Sequence, residues 1–184
     1  GDNTTGANNT AVGRDSLASN TTASNNTAVG WYTLFNNSTG TTNTAVGGGV
    51  AGSVLSTMEN NTTGSNNSAF GIGALGNNTT ASNNTAVGYE AGYSNTTGAD
   101  NVLVGNNAGR LNTVSSSITA VGVGAAQHNT AHNTTALGYR ALYNNTTGNG
   151  NVGLGKQTLF SNTTGTSNTA IGTYSQKGVS GNSH

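Results

Sequence analysis

Asn84-Thr85-Ala86-Val87-Gly88-Tyr89-Glu90-Ala91-Gly92-Tyr93-Ser94-Asn95-Thr96-Thr97-Gly98 is the stretch from which the rest of the chain can be read. Its first five residues recur, with small changes, throughout the 184-residue sequence. The turn glycines that close the motif are Gly13, Gly30, Gly47, Gly71, Gly88, Gly105, Gly122, Gly138, Gly155 and Gly172. Neighbours stand 17 residues apart, except for 24 between Gly47 and Gly71 and 16 between Gly122 and Gly138. Ten copies at one pitch mark a repeat architecture, in which each copy is a unit stacked on the next.

The residue before each glycine is always apolar: Val12, Val29, Val46, Phe70, Val87, Val104, Val121, Leu137, Leu154 and Ile171. Two residues earlier the column is Thr or Val, except for Ser68. Between them stands Ala in eight copies, with Leu103 and Gly153 as exceptions. Alternation of this kind over β-branched residues predicts a short strand. The valine column is expected to be the inward core ladder, with the threonines facing the same way. The alanines are expected to meet something that tolerates only small groups. Four residues past the glycine comes a second apolar column of Leu17, Leu34, Ala51, Leu75, Leu142 and Leu159, with Gly92, Gly109, Ala126 and Gln176 as weaker members. It predicts a second short strand with one inward leucine per copy. Turn blocks of the form Asn-Thr-Thr-Gly separate the strands, since Gly and Asn accept positive φ.

Seventeen residues with two glycine turns leave no room for an ordinary helix, and Asn, Thr and Gly are poor helix formers. Two or three strands of four or five residues, closed by turns, make one coil of an all-β parallel β-solenoid. Ten coils at about 4.8 Å each give a rod roughly 48 Å long. The repeat domain is expected over residues 1–177, with a loop insertion within 48–59, and 178–184 as a degenerate last coil or linker. Two aliphatic side chains per coil supply about 1.5–3 kcal/mol each. That is little against about 1–2 kcal/mol for every residue fixed. Asn and Thr side chains bonding along the rod axis, and lateral packing of copies into a homo-oligomer, are expected to make up the difference.

Only 5% of residues are charged, five basic and five acidic. This excludes a basic nucleic-acid footprint and an electrostatically steered cleft. The 32% hydrophobic content is low, yet proline is absent and the apolar residues keep register, unlike a disordered chain. There is no cysteine, hence no disulfide, thiolate zinc site or cysteine nucleophile. No apolar run reaches 18 residues, so membrane insertion is not expected. The sequence starts at Gly1 with no basic-then-apolar leader, which reads as a processed chain or a segment of something longer.

No catalytic set is present. The acids Asp2, Asp15, Glu59, Glu90 and Asp100 fall in different copies or phases, and neither a Gly-x-Ser-x-Gly elbow nor a phosphate loop occurs. The chain is therefore read as a non-enzyme without cofactor. His128 and His132 have the spacing of a metal pair only on a helix, and here they fall in a turn region, so no metal is expected. The insertion within Gly48–Glu59, with Val54, Leu55 and Met58, is either a contact loop or a tolerated bulge. Sequons make Asn20, Asn36, Asn61, Asn78, Asn95, Asn133, Asn145 and Asn162 candidate glycan acceptors, although a repeat of Asn followed by Thr generates them automatically. The aromatics Trp31, Tyr32, Phe35, Tyr89, Tyr93, Tyr139, Tyr143, Phe160 and Tyr174 recur one, two or five residues past the glycine. They read as packing elements or as a sugar-stacking strip.

The Asn84–Gly98 stretch resembles repeats in the heads of trimeric autotransporter adhesins and, more closely, in phage tail fibres and related secreted fibre proteins. The resemblance covers nearly the whole chain. It implies a parallel β-roll in a rigid stalk or head, three chains side by side, extracellular, on a cell surface or in a virion fibre. Its expected partners are copies of itself, as homotrimer or filament, and a carbohydrate or host surface. The expected function is a self-assembling structural fibre with an adhesive role; the alternatives are a tail-fibre or receptor-binding shaft and, from the flat threonine and alanine ladders, an ice-binding solenoid. The inward threonine expected above weighs against the last.

Overall fold

The computed structural model describes residues 3–49 and 55–178. Ten three-residue strands run in chain order: β1 Thr10–Val12, β2 Thr27–Val29, β3 Thr44–Val46, β4 Ser68–Phe70, β5 Thr85–Val87, β6 Val102–Val104, β7 Thr119–Val121, β8 Thr135–Leu137, β9 Val152–Leu154 and β10 Thr169–Ile171. They form one ten-stranded sheet in which each strand pairs only with its sequence neighbours. Every pairing is parallel and sets each repeat position over its counterpart, as in Thr27↔Thr44, Ala28↔Ala45 and Val29↔Val46, and, where the residues differ, Ala86↔Leu103. The chain is an all-β parallel β-solenoid, and no helix occurs among the described residues.

The strands lie where the alternation places them, but their faces are reversed. Ala28, Ala45, Ala69, Ala86, Ala120 and Ala136 are wholly buried, and Leu103 takes the same inner place in β6. The column read as the core ladder (Val12, Val29, Val46, Phe70, Val87, Val104, Val121, Leu137, Leu154 and Ile171) lies on the outer face, half-buried or exposed. The threonine column lies there too. Period-two geometry requires this once the neighbouring asparagines are placed: Asn84 and Ala86 share the inner side, so Thr85 and Val87 share the outer.

Each coil has one strand of three residues, not two or three of four or five. The leucine segment is a left-handed turn, with φ of 50° at Leu17, 52° at Leu34 and 50° at Leu75, Leu142 and Leu159. The cause is that Ala74 and Leu75 are both buried, and consecutive strand residues cannot both point inward. Positive φ at a leucine costs about 1–2 kcal/mol. A second backbone ladder offsets it: Leu17 N donates to Thr33 O at 3.1 Å, Leu75 N to Ala91 O at 3.0 Å and Leu142 N to Thr158 O at 2.8 Å.

In the long coil the inner leucine place belongs to Met58, fully buried with φ 50° and its N–H on Ala74 O at 3.0 Å. Ala51, read as the member of that column, lies outside the described residues. The register therefore resumes at Thr57 and Met58.

Side chains of unequal size compensate across the core. Gly92 and Gly109 stand in the leucine column, and Leu103 in the alanine column fills the space they leave. Gly153 does the reverse, since a Cβ there would lie 3.3 Å from Leu142 Cδ1. The strand-ending glycine is fixed by its neighbour in the stack. At Gly88, with φ +133°, a Cβ would lie 2.6 Å from Gly105 O.

Candidate functional site

Two long surfaces and one buried lattice of amides result from this winding. The first surface is the outer face of the sheet. Its two columns run unbroken over ten coils and contain no charged residue. Val87 is 38% exposed, Phe70 40% and Leu154 44%. Apolar residues of this size in a continuous row are an unusual feature on a soluble chain standing alone.

The buried lattice consists of asparagines. In one row Asn37 Nδ2 donates to Asn20 Oδ1 at 3.3 Å, Asn61 to Asn37 at 2.7 Å, Asn78 to Asn61 at 2.8 Å and Asn95 to Asn78 at 3.1 Å. Each of these amides also caps its own turn, as Asn78 Nδ2 does on Ala81 O at 3.0 Å. In a second row the side-chain oxygen accepts the backbone N–H of the following coil: Asn43 N on Asn26 Oδ1 at 2.9 Å, Asn84 N on Asn67 Oδ1 at 3.0 Å. Buried amides are tolerated because both donors and acceptor are engaged.

This overturns six of the eight glycan acceptors. Asn20, Asn61, Asn78, Asn95, Asn145 and Asn162 are no more than 2% exposed. The Nδ2 to which an N-linked sugar would be joined is in each case a hydrogen-bond donor inside the rod. Asn36 is half-buried and donates to Asn60 Oδ1 at 3.2 Å. Only Asn133, on a turn with φ 54°, is exposed.

The second surface is the corner past the glycine, where the aromatics gather. Tyr89, Tyr139 and Tyr174 are exposed, whereas Trp31, Tyr32, Phe35, Tyr93, Tyr143 and Phe160 are half-buried. Several rings stack on one another, within or between coils. Tyr143 and Phe160 are 5.2 Å apart with planes 7° from parallel, and Tyr32 lies 4.5 Å from Phe35 at 18°. Cations cover other faces: Arg110 stands over Tyr93 at 5.4 Å, and Arg140 over both Tyr139 and Tyr143 at 5.2 Å. Each of these rings is thus packed on at least one side by a neighbouring ring or cation. The cations interleaved with the rings carry no sequence motif and no single phase: Arg140 stands two residues past its glycine, Lys156 one, and Arg110 and Lys177 five.

The titratable groups are dispersed. Asp15 pairs with Arg14 at 3.1 Å, Glu90 with Arg110, Glu59 accepts from Ser56 N at 2.8 Å, and Asp100 accepts from Asn83 at 3.1 Å. Asp2 lies outside the described residues. The Tyr89 phenol is held above its ordinary value of 10.0 by its hydrogen bond to the Glu90 side chain. The two histidines diverge: His128 packs on the Tyr143 ring at 4.8 Å, while His132 Nδ1 accepts from Ser116 N at 3.1 Å. Among the described residues no three His, Cys, Asp or Glu side chains gather as a metal site would require. No helix there is long and apolar enough to cross a membrane. Of the insertion read as a contact loop or a bulge, residues 50–54, Val54 among them, lie outside the described residues.

Comparison with known protein families, with curated proteins and with solved structures gave no match for this chain.

Proposed function

We propose that this solenoid is a structural rod, a length of an extracellular filament, stalk or surface fibre, built to associate side by side with copies of itself. The observation that carries the reading is the outward column Val12–Ile171 on an uncharged ten-stranded face. Along the axis the rod is held by backbone and asparagine ladders, so it needs no partner for its winding. Across the axis, a row of half-exposed aliphatic side chains gains about 25 cal/mol for each square ångström of apolar surface covered. Low charge on that face removes the desolvation cost that would oppose contact. The test is sedimentation equilibrium on the chain and on Val87→Lys/Val121→Lys. Concentration-dependent association of the chain, abolished in the variant with its circular dichroism unchanged, is expected. A chain that stays monomeric at tens of micromolar would contradict it.

A second reading has one specific observation in its favour. The threonines of the strands face outward, in rows free of asparagine, as an ice-binding face requires. Phe70 stands within the adjacent row and breaks its evenness, which favours a protein partner. Thermal hysteresis in the associating range, lost in Thr85→Lys/Thr119→Lys, would support ice binding; zero hysteresis would end it.

A further inference from the structure

One coil departs from the repeat at two adjacent positions. Six residues before the turn glycine the other coils carry Ala, Ser, Thr or His, and five residues before it Asn, Thr, Asp or Ser. In the coil that ends at Gly155 these residues are Asn149 and Gly150, the chain's single Asn-Gly pair. The winding does not demand this glycine. Gly150 has φ 70°, but Asn25, Asn83 and Asn133 adopt φ of 63°, 62° and 54° at the same place. A Cβ on Gly150 would meet nothing closer than Ser167 Oγ at 3.6 Å, an ordinary van der Waals contact.

Asn149 also differs in state from the asparagines of the buried rows. Asn78 and Asn95 are buried, and each Nδ2 donates two hydrogen bonds. Asn149 is exposed, and its Nδ2 donates to no group among the described residues. Its Oδ1 accepts the His132 N–H at 2.8 Å, the place that Ser82 Oγ takes for Ser65 N in an earlier coil. The Gly150 N–H donates to His132 O at 3.3 Å, a longer bond than the 2.9 Å from Asn25 N to Ala7 O.

We infer that Asn149 is a site of spontaneous modification in the folded rod, converted to aspartate and isoaspartate through a cyclic imide. The main-chain nitrogen of Gly150 gives its proton to solvent and attacks Cγ of Asn149. The N–Cγ bond forms, the Cγ–Nδ2 bond breaks, and the amide nitrogen takes up a proton and leaves as ammonia. Water then opens the imide at either carbonyl; no electrons are transferred. Glycine puts no side chain beside the attacking nitrogen. Negative charge develops on Asn149 Oδ1 during the attack, and the His132 N–H already lies against that oxygen. In the buried rows the departing nitrogen would instead have to abandon its hydrogen bonds. The product brings a carboxylate into residues 101–184, which hold no acidic residue. In the isoaspartate form the carbonyl that accepts the Ser167 N–H at 2.9 Å leaves the main chain, so one rung of the stack is broken. The inference does not depend on association through the sheet face.

The experiment holds the full chain folded at neutral pH and physiological temperature, samples it over weeks and maps its peptides by mass spectrometry, with isoaspartate read by enzymatic methylation. Asn149 is expected to convert first, ahead of the exposed Asn66 and Asn133, at a rate that rises with pH. Gly150→Asn restores the residue that Asn83 supplies in its own coil. It is expected to keep the parent's circular dichroism and to convert about tenfold more slowly, the equivalent of about 1.4 kcal/mol in the barrier. Asn149→Ser should abolish the event, and it serves as the control if Gly150→Asn does not fold. Conversion at Asn149 no faster than at Asn66, conversion only after the chain is unfolded, or a folded Gly150→Asn chain that converts at the parent's rate would overturn the inference.

Discussion

Leu103 occupies the space that a side chain at Gly92 would need: a Cβ on Gly92 would lie 2.7 Å from Leu103 Cδ1. The same leucine reaches Gly109, whose Cβ would lie 2.7 Å from its Cδ2. One large residue in the alanine column thus serves two coils that lack a leucine. Leu103→Ala is expected to cost about 2–5 kcal/mol by the void it leaves. Gly109→Ala alone is expected to destabilise through contact with Leu103. Added to Leu103→Ala it should cost less than alone, giving a favourable coupling energy in a double-mutant cycle measured by denaturant unfolding.

The asparagine row admits charge poorly. Asn78→Asp removes the donor to Asn61 Oδ1 and Ala81 O and places a carboxylate where no cation reaches. A loss of about 3–5 kcal/mol is expected. The exposed turn residue Asn66, changed to Asp in the same assay, is expected to stay within about 0.5 kcal/mol of the parent. Glycopeptide mapping of folded chain from a glycosylating host should find Asn133 alone occupied among the eight acceptors read from the sequence.

Gly105→Ala tests the contact between stacked strand ends. Its Cβ would lie 2.5 Å from Gly122 O with φ at +134°, whereas Gly172, with φ +112°, has nothing within 4 Å. Both alanines suffer a strained backbone, of order 1–3 kcal/mol. The extra loss at Gly105, read as the difference in unfolding midpoint, reports the clash. Equal losses at the two sites would show that the carbonyl yields freely.

Tyr89 should titrate above 10.0 because its phenol donates to Glu90. The folded value is raised, so this bond contributes stability below the phenol's unfolded value and loses it as pH rises through the folded one. Glu90→Gln is expected to return Tyr89 toward its ordinary value in an absorbance titration.

The strand positions, the parallel register and the seventeen-residue coil are legible because glycine, alanine and valine repeat in fixed phase, and stacking like on like demands it. The facing of the strand is not legible from hydrophobicity alone. Alternation separates Ala86 from Val87 without saying which is inside, and the usual preference for burying valine points the wrong way. The space decides: a narrow coil that already encloses Leu75 or Leu142 has room opposite only for a methyl group. The near-invariance of the alanine column, and the asparagine four residues before eight of the ten turn glycines, with Ile118 and Thr134 in the other two copies, carried that signal. The left-handed leucine turn was hidden for another reason, since it contradicts the residue's own preference and exists only because the neighbouring coils hold it. Asn20, Asn78 and Asn95 look like surface sequons because a buried amide is affordable only when an identical one lies above and below.

Maleimide labelling of two single-cysteine variants tests the winding most directly, since the chain has no cysteine of its own. Val87→Cys is expected to react readily in dilute solution and more slowly as concentration rises and copies associate, while Ala86→Cys stays protected at every concentration until the chain unfolds. Ala86→Cys reacting as fast as Val87→Cys in the folded chain would contradict the placement of alanine inside and valine out.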